Sequence, residues 1–139
     1  MRSTVRGIIA DNDIQGHVRL LVNILEGDPL REYWRSLGLG VKSFANVGLA
    51  RNSPDRLVWT TCQELELVLI TANRRQKEPD SLEATIRGMN TATSLPVLTL
   101  ADPIRVLAGK AYTRKVADRL LGYLLDMHFY LGGGRLYLP

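Results

Sequence analysis

The sequence predicts a three-layer α/β/α sandwich with a central, mostly parallel sheet of four to five strands. Short apolar segments alternate with helical patterns along the 139-residue chain, and strands separated by helices pair in parallel through right-handed crossovers. The clearest strand is Leu67–Thr71. It is a continuous apolar run, as expected of a strand that is buried on both faces.

The other elements follow from periodicity and from residues that begin or end helices. Strands are expected over residues 5–10, 41–44, 67–71 and 96–100. Helices are expected over residues 14–25, 30–37, 54–65, 81–89 and 111–128, with a helical turn after Asp102-Pro103. We expect one domain over residues 1–131, followed by a flexible tail over residues 132–139 because three consecutive glycines precede its apolar end.

The composition is typical of a soluble, mildly basic domain. Hydrophobic residues make up 45% and charged residues 23% of the chain, and both values are ordinary. No apolar run approaches the roughly 20 residues that span a bilayer, so we expect no membrane association and a cytoplasmic location. The net charge of +4 is compatible with a nucleic acid partner. Cys62 is the single cysteine, which excludes an internal disulfide.

Polar side chains follow two of the predicted strands. Asp11 and Asp13 come directly after the first strand, and Asn73 follows Thr71. Ligands of parallel sheets bind at the carboxyl ends of the strands, and two close carboxylates favour a cation or water beside them. Simpler interpretations remain open. Asp11 or Asp13 could cap the helix that begins near Ile14, and Asn73 could be a turn residue.

The segment "SFANVGLARNSPDRLVWTTCQELELVLITANRR" resembles the middle of PIN-like nuclease domains, in particular the small group related to Mut7-C and toxin-type PIN domains. Gly48-Leu49, Ser53, Asp55 and an apolar strand ending in Thr71 occur in that group's order and approximate spacing. The resemblance covers roughly residues 5 to 75. It implies a PIN-like fold and a Mg²⁺- or Mn²⁺-dependent ribonuclease that hydrolyses phosphodiesters in single-stranded RNA.

The resemblance also implies a set of metal ligands. Asp11 matches the family's first metal-binding acid, and Asp55 matches the acid on the central helix, although Asp55 could instead interact only with the helix dipole. Asn73 stands where the family has its third acid, and Arg75 stands where a further Asp commonly follows. An Asn oxygen still coordinates Mg²⁺ or Mn²⁺, whereas Arg repels a cation. The nearest replacement acids are Asp13, Glu78, Asp80 and Glu83.

Basic residues follow the expected site. Arg74, Arg75 and Lys77 would suit phosphate contacts with RNA, or they are solvated loop charges. The PIN-like resemblance further implies an antitoxin protein or a second copy of the chain as partner, because many family members are toxins of toxin–antitoxin pairs.

Two alternative functions remain. Loss of acids at Asn73 and Arg75 is also consistent with a catalytically decayed PIN-like module that binds RNA or protein. In addition, "IIADND", "VLITA" and "LAGKAY" resemble receiver-type signalling domains through their paired acids, Thr71 and Lys110. A receiver needs a phospho-accepting Asp at the end of its third strand, whereas Asp55 is predicted at a helix start.

Overall fold

A computed structural model describes residues 5–73 and 81–139 of the chain. The strands of this part are β1 (Gly7–Ala10), β2 (Gly40–Lys42), β3 (Leu67–Thr71), β4 (Val97–Leu100) and β5 (Arg135–Leu138). They form one parallel sheet in the order β2-β1-β3-β4-β5. The predicted α/β class with a parallel central sheet is therefore confirmed.

Helices cover both faces of the sheet. They are α1 (Gln15–Leu25), α2 (Arg31–Leu37), α3 (Asp55–Leu65), α4 (Leu82–Met89), α5 (Pro103–Ala108) and α6 (Lys110–Leu125). Helices α1, α2, α5 and α6 contribute to the larger core on one face, and α3 and α4 contribute to the core on the other. None of the helices in the described residues has the length and hydropathy needed to cross a bilayer.

The two cores explain why β1 and the first four residues of β3 are apolar without interruption. Successive side chains of a strand point to opposite faces, so Ile8 enters the larger core and Ile9 enters the smaller one. Val68 and Leu69 divide in the same way along β3. Both faces are covered by helices, and the one polar side chain of β1 and β3 is that of Thr71, the last residue of β3.

The helix starts agree with the sequence to within one or two residues. Ser81 caps α4 by accepting a hydrogen bond from the backbone N–H of Ala84, at 3.1 Å. Helix α3 has no side-chain cap, and the Ser53 hydroxyl before it accepts from the N–H of Ala50 at 2.8 Å. Asp55 lies in the first turn of α3 as predicted.

The C-terminal residues differ from the prediction of a flexible tail over 132–139, which is wrong for residues 135–138. These residues form β5, which pairs in parallel with β4, and Leu138 is fully buried. The glycines before β5 serve a turn. Gly132 has a φ of +82°, and a Cβ there would lie 2.9 Å from the carbonyl oxygen of Ala92. Glycine is needed because of this backbone geometry and close approach.

Leu138→Ala is expected to lower the free energy of unfolding by about 2–5 kcal/mol, because it removes a fully buried side chain from the larger core. Urea denaturation measures the change. Ile104→Ala is the matched control, since Ile104 is 78% exposed, and it should alter stability by less than about 0.5 kcal/mol. A value for Leu138→Ala as small as the control would contradict the packed position of β5.

Candidate functional site

The candidate site lies where the strand order reverses. β1 lies between β2 and β3, and an order of this kind opens a crevice at the carboxyl ends of the strands, where ligands bind in doubly wound folds. An open cleft with a volume of about 410 Å³ is found there. Its polar lining consists of Asp11, Asp13, Arg51, Ser53, Asp55 and Asn73.

Asp11 is held at this edge by β3. Its backbone N–H donates to the carbonyl oxygen of Ile70 at 2.9 Å, which continues the pairing of β1 with β3. The Thr71 hydroxyl donates to the Asp11 carboxylate, with an Oγ1–Oδ2 distance of 2.6 Å. Thr71 is fully buried, so this carboxylate is fixed by a side chain that water does not reach.

The pKa of Asp11 is raised above its ordinary value. Burial is the largest cause, because it penalises the charged form. Hydrogen bonds from Thr71 and from the backbone of Asn12 lower the pKa, but the negative charges of Asp13 and Asp55 raise it further. Asp11 therefore interacts electrostatically with both other acids of the cleft.

Asp55 reaches the same cleft from α3. The side-chain amide of Asn73 donates to the Asp55 carboxylate at 3.2 Å, and the backbone N–H of Asn73 donates to the Thr71 hydroxyl at 2.9 Å. The four residues thus form one hydrogen-bonded chain, Asp11–Thr71–Asn73–Asp55. We call it the Asp–Thr–Asn–Asp chain. It brings together β1, the end of β3 and the first turn of α3.

The remaining predicted ligands have different positions. Asp13 lies in a 3₁₀ turn, Asn12–Ile14, and lines the cleft. The expectation that it caps the first helix is wrong, because α1 begins at Gln15 without any side-chain cap. Glu83 is paired with Arg135 at 3.0 Å and is not part of the cleft lining.

Five residues named from the sequence fall in the part of the chain that is not described. They are Arg74, Arg75, Lys77, Glu78 and Asp80. The phosphate-binding and metal-binding predictions made for them therefore lie outside the described residues.

The PIN-like resemblance implies a Mg²⁺ or Mn²⁺ ion at this cleft. Within residues 5–73 and 81–139, no group of three or more His, Cys, Asp or Glu side chains is arranged to hold a metal ion. Mg²⁺, however, commonly keeps several waters and binds through one or two carboxylates plus substrate phosphates. Asp11 and Asp55 meet that requirement in chemistry and number. Asn73 points its amide nitrogen at Asp55, so it orients this carboxylate.

Two residues at the site were missed from the sequence. Arg51 is a cation in the lining of an otherwise acidic cleft, and the available signal was its position between Leu49 and Ser53, two residues used in the resemblance. Arg135 lies behind the site and contacts Asn73. No local pattern indicated it, because it belongs to the segment predicted as a tail.

Comparisons of the chain with protein-family models, with curated proteins and with solved structures gave no significant match. The PIN-like resemblance therefore stays a prediction. The functional interpretation rests on the geometry and chemistry of the cleft.

The arrangement disfavours the receiver-like alternative. The third strand in chain order, β3, ends at Thr71, where a receiver would need its phospho-accepting aspartate. Asp55 lies in the first turn of α3. Lys110 is the first residue of α6 and does not line the cleft.

Asp11→Asn should gain stability relative to the natural chain as the pH rises. Because the folded-state pKa of Asp11 lies above its ordinary value of 3.8, the folded protein binds this proton more tightly than the unfolded chain does. The corresponding stabilisation is complete at low pH and is lost as the pH rises through the folded-state pKa. An amide does not ionise, so the variant escapes this loss.

Urea denaturation from about pH 3 to about pH 7 tests this expectation. The free energy of unfolding of Asp11→Asn minus that of the natural chain should increase over this range. Asp118→Asn is the control for replacing a surface carboxylate by an amide, since Asp118 is exposed on α6 and paired with Arg114. A flat or falling difference for Asp11→Asn would contradict the raised pKa.

Proposed function

We propose that this protein is a PIN-like, metal-dependent ribonuclease that hydrolyses phosphodiesters in single-stranded RNA. The observation that carries the proposal is the Asp–Thr–Asn–Asp chain. It draws two carboxylates from distant parts of the sequence into one open cleft at the switch point of the sheet.

The charges of the cleft support a cation as ligand. Asp11, Asp13 and Asp55 line the same space, and the last two raise the pKa of the first. A divalent cation would offset both this repulsion and the desolvation of Asp11. Asp11 and Asp55 would hold Mg²⁺ or Mn²⁺, and when bound the cation would activate water and stabilise charge at the phosphorus.

Side chains of the cleft would orient the two acids and bind the substrate. Thr71 holds the Asp11 carboxylate and Asn73 holds the Asp55 carboxylate, so neither acid is free to rotate away from the cleft. Arg51 lines the same cleft, and a guanidinium group forms strong, bidentate hydrogen bonds with phosphate oxygens. This combination suits a substrate that carries phosphodiester groups.

The nuclease proposal also includes a partner and a cellular location for this protein. The PIN-like resemblance implies an antitoxin protein or a second copy of the chain as partner, and RNA in the cytoplasm as substrate. These assignments depend on the nuclease proposal and are tested after it.

Asp11→Asn and Asp55→Asn should each lower the rate of Mn²⁺-dependent RNA cleavage by at least about 100-fold. Loss of a group that only supports a ligand costs 10- to 100-fold in activity or metal affinity, and these substitutions remove the ligands themselves. Cleavage of a labelled single-stranded RNA and calorimetric titration with Mn²⁺ are the measurements.

Asp118→Asn serves as the matched control for these two variants and should cleave at the rate of the natural chain, because Asp118 lies on the exposed surface of α6. Intact RNA in the presence of the natural chain and Mn²⁺, or cleavage that survives Asp11→Asn, would refute the nuclease proposal.

A second candidate function is a binding module without catalysis. One observation favours it: among the described residues no group of three acids, histidines or cysteines is arranged for a metal. In addition, Asn73 stands where the PIN-like resemblance implies an acid. In this case Arg51 would contact RNA phosphates, while the acids of the cleft would have no catalytic role.

Arg51→Gln should weaken binding of single-stranded RNA and reduce the slope of log K against log salt concentration by about 0.7, the value for one phosphate contact to a single strand. Fluorescence anisotropy in EDTA measures binding without metal. Arg35→Gln is the control, because Arg35 is exposed on α2 and does not line the cleft. An unchanged slope for Arg51→Gln would remove Arg51 from the RNA interface.

A further inference from the structure

Arg135 is a buried cation on the C-terminal strand. It lies opposite Val97 of β4 in the register of the sheet, and its side chain is only 6% exposed. Its Nε donates to the Glu83 carboxylate of α4 at 3.0 Å. A buried guanidinium needs such a partner, because an isolated charge is costly to remove from water.

The same guanidinium reaches across β4 to the candidate site. Its Nη1 donates to the Thr99 hydroxyl at 2.6 Å and to the backbone carbonyl oxygen of Asn73 at 2.7 Å. Asn73 follows β3, which lies on the far side of β4 from β5. Arg135 therefore joins α4, β4 and the segment after β3 through one planar group.

The pattern of bonds suggests more than a stabilising ion pair. Nη2 of Arg135 is buried and has no hydrogen-bond partner among the described residues. Buried polar groups are normally paired, and the three hydrogen bonds of this guanidinium all come from Nε and Nη1, which bond Glu83, Thr99 and Asn73. The carbonyl of Asn73 is one of these acceptors.

We propose that Arg135 is a positioning residue for the candidate site, acting through the backbone of Asn73. Holding that carbonyl fixes the residue whose N–H bonds Thr71 and whose amide bonds Asp55. Arg135 thereby supports both ends of the Asp–Thr–Asn–Asp chain. The inference rests on the proposed function, because it assigns a support to the same metal-binding carboxylates.

The inference gives β5 a function beyond covering the sheet edge. Arg135 and Leu138 are an odd number of residues apart in the strand, so their side chains point to opposite faces. Leu138 enters the larger core, whereas Arg135 is directed to α4 and Asn73. One strand therefore anchors the core on one face and the site on the other.

Arg135→Lys is the test variant. Lysine keeps a positive charge facing Glu83, but its single ammonium group lacks the planar fork of donors. Nuclear magnetic resonance of the full chain should show a shift of the backbone and side-chain amide signals of Asn73. Calorimetry should show Mn²⁺ affinity reduced about 10- to 100-fold, as for loss of other groups that support metal ligands.

Leu138→Ala is the matched control, since it destabilises the same strand from the opposite face. At a temperature where both variants are folded, it should leave the Asn73 signals and the Mn²⁺ affinity at their natural values. Asn73 signals that stay unmoved in folded Arg135→Lys, or that move equally in Leu138→Ala, would overturn the proposal.

A second variant decides the case if Arg135→Lys does not fold. Thr99→Val is nearly isosteric and removes one acceptor of Nη1, so it should shift the Asn73 signals in a folded protein; unmoved signals would overturn the proposal. If the natural chain does not bind Mn²⁺, the proposed metal-dependent function fails by itself. The Asn73 signals still test the positioning role in that case.

Discussion

The hydroxyl group of Thr71 is the contact on which the candidate site depends. It accepts a hydrogen bond from the N–H of Asn73 and donates its own proton to the Asp11 carboxylate. Because Thr71 is fully buried, water cannot substitute for either bond. The position of Asp11 is therefore tied to the path of the chain after β3, and through Asn73 to Asp55 on α3.

The parallel sheet makes this contact possible. Ala10 is the register partner of Ile70, so the next residues along each strand, Asp11 and Thr71, meet at the carboxyl edge. Helices cover both faces, and the polar side chains that follow or end β1 and β3 lie at this edge. Burial at this edge also explains why the pKa of Asp11 is raised despite a short hydrogen bond.

The charge of the cleft is what distinguishes a metal-dependent nuclease from a binding module without catalysis. Three aspartates share a cleft with Arg51, and Asp13 and Asp55 raise the pKa of Asp11, a repulsion that a bound cation would offset. Asn73 is neutral and adds no negative charge to the cleft, but its amide holds Asp55 in place. A nuclease and a binding module would use the same scaffold and differ in whether two carboxylates suffice to retain the metal.

Arg135 extends the scaffold to the last strand, so the geometry of the site depends on both halves of the chain.

Local patterns determined most of the elements. The strand Leu67–Thr71 is predicted to the residue, because an uninterrupted apolar run fits a strand buried on both faces. The placement of Asp11 after β1 and of Asp55 in the first turn of α3 follows from strand and helix boundaries, which apolar periodicity, proline and capping residues mark. The sequence alone also led to the expectation that acids gather at the carboxyl edge of the sheet.

Tertiary structure decided the fate of the C-terminal residues and the contacts within the candidate site. The glycines at 132–134 are equally consistent with a flexible tail and with a turn of positive φ, and only the approach of Gly132 to Ala92 distinguishes the two. The contacts of Thr71 with Asp11 and of Arg135 with Asn73 join residues that are far apart in the chain. Such contacts depend on which strands are neighbours and on how far each side chain reaches across the sheet, and neither property is encoded in the local spacing of residues.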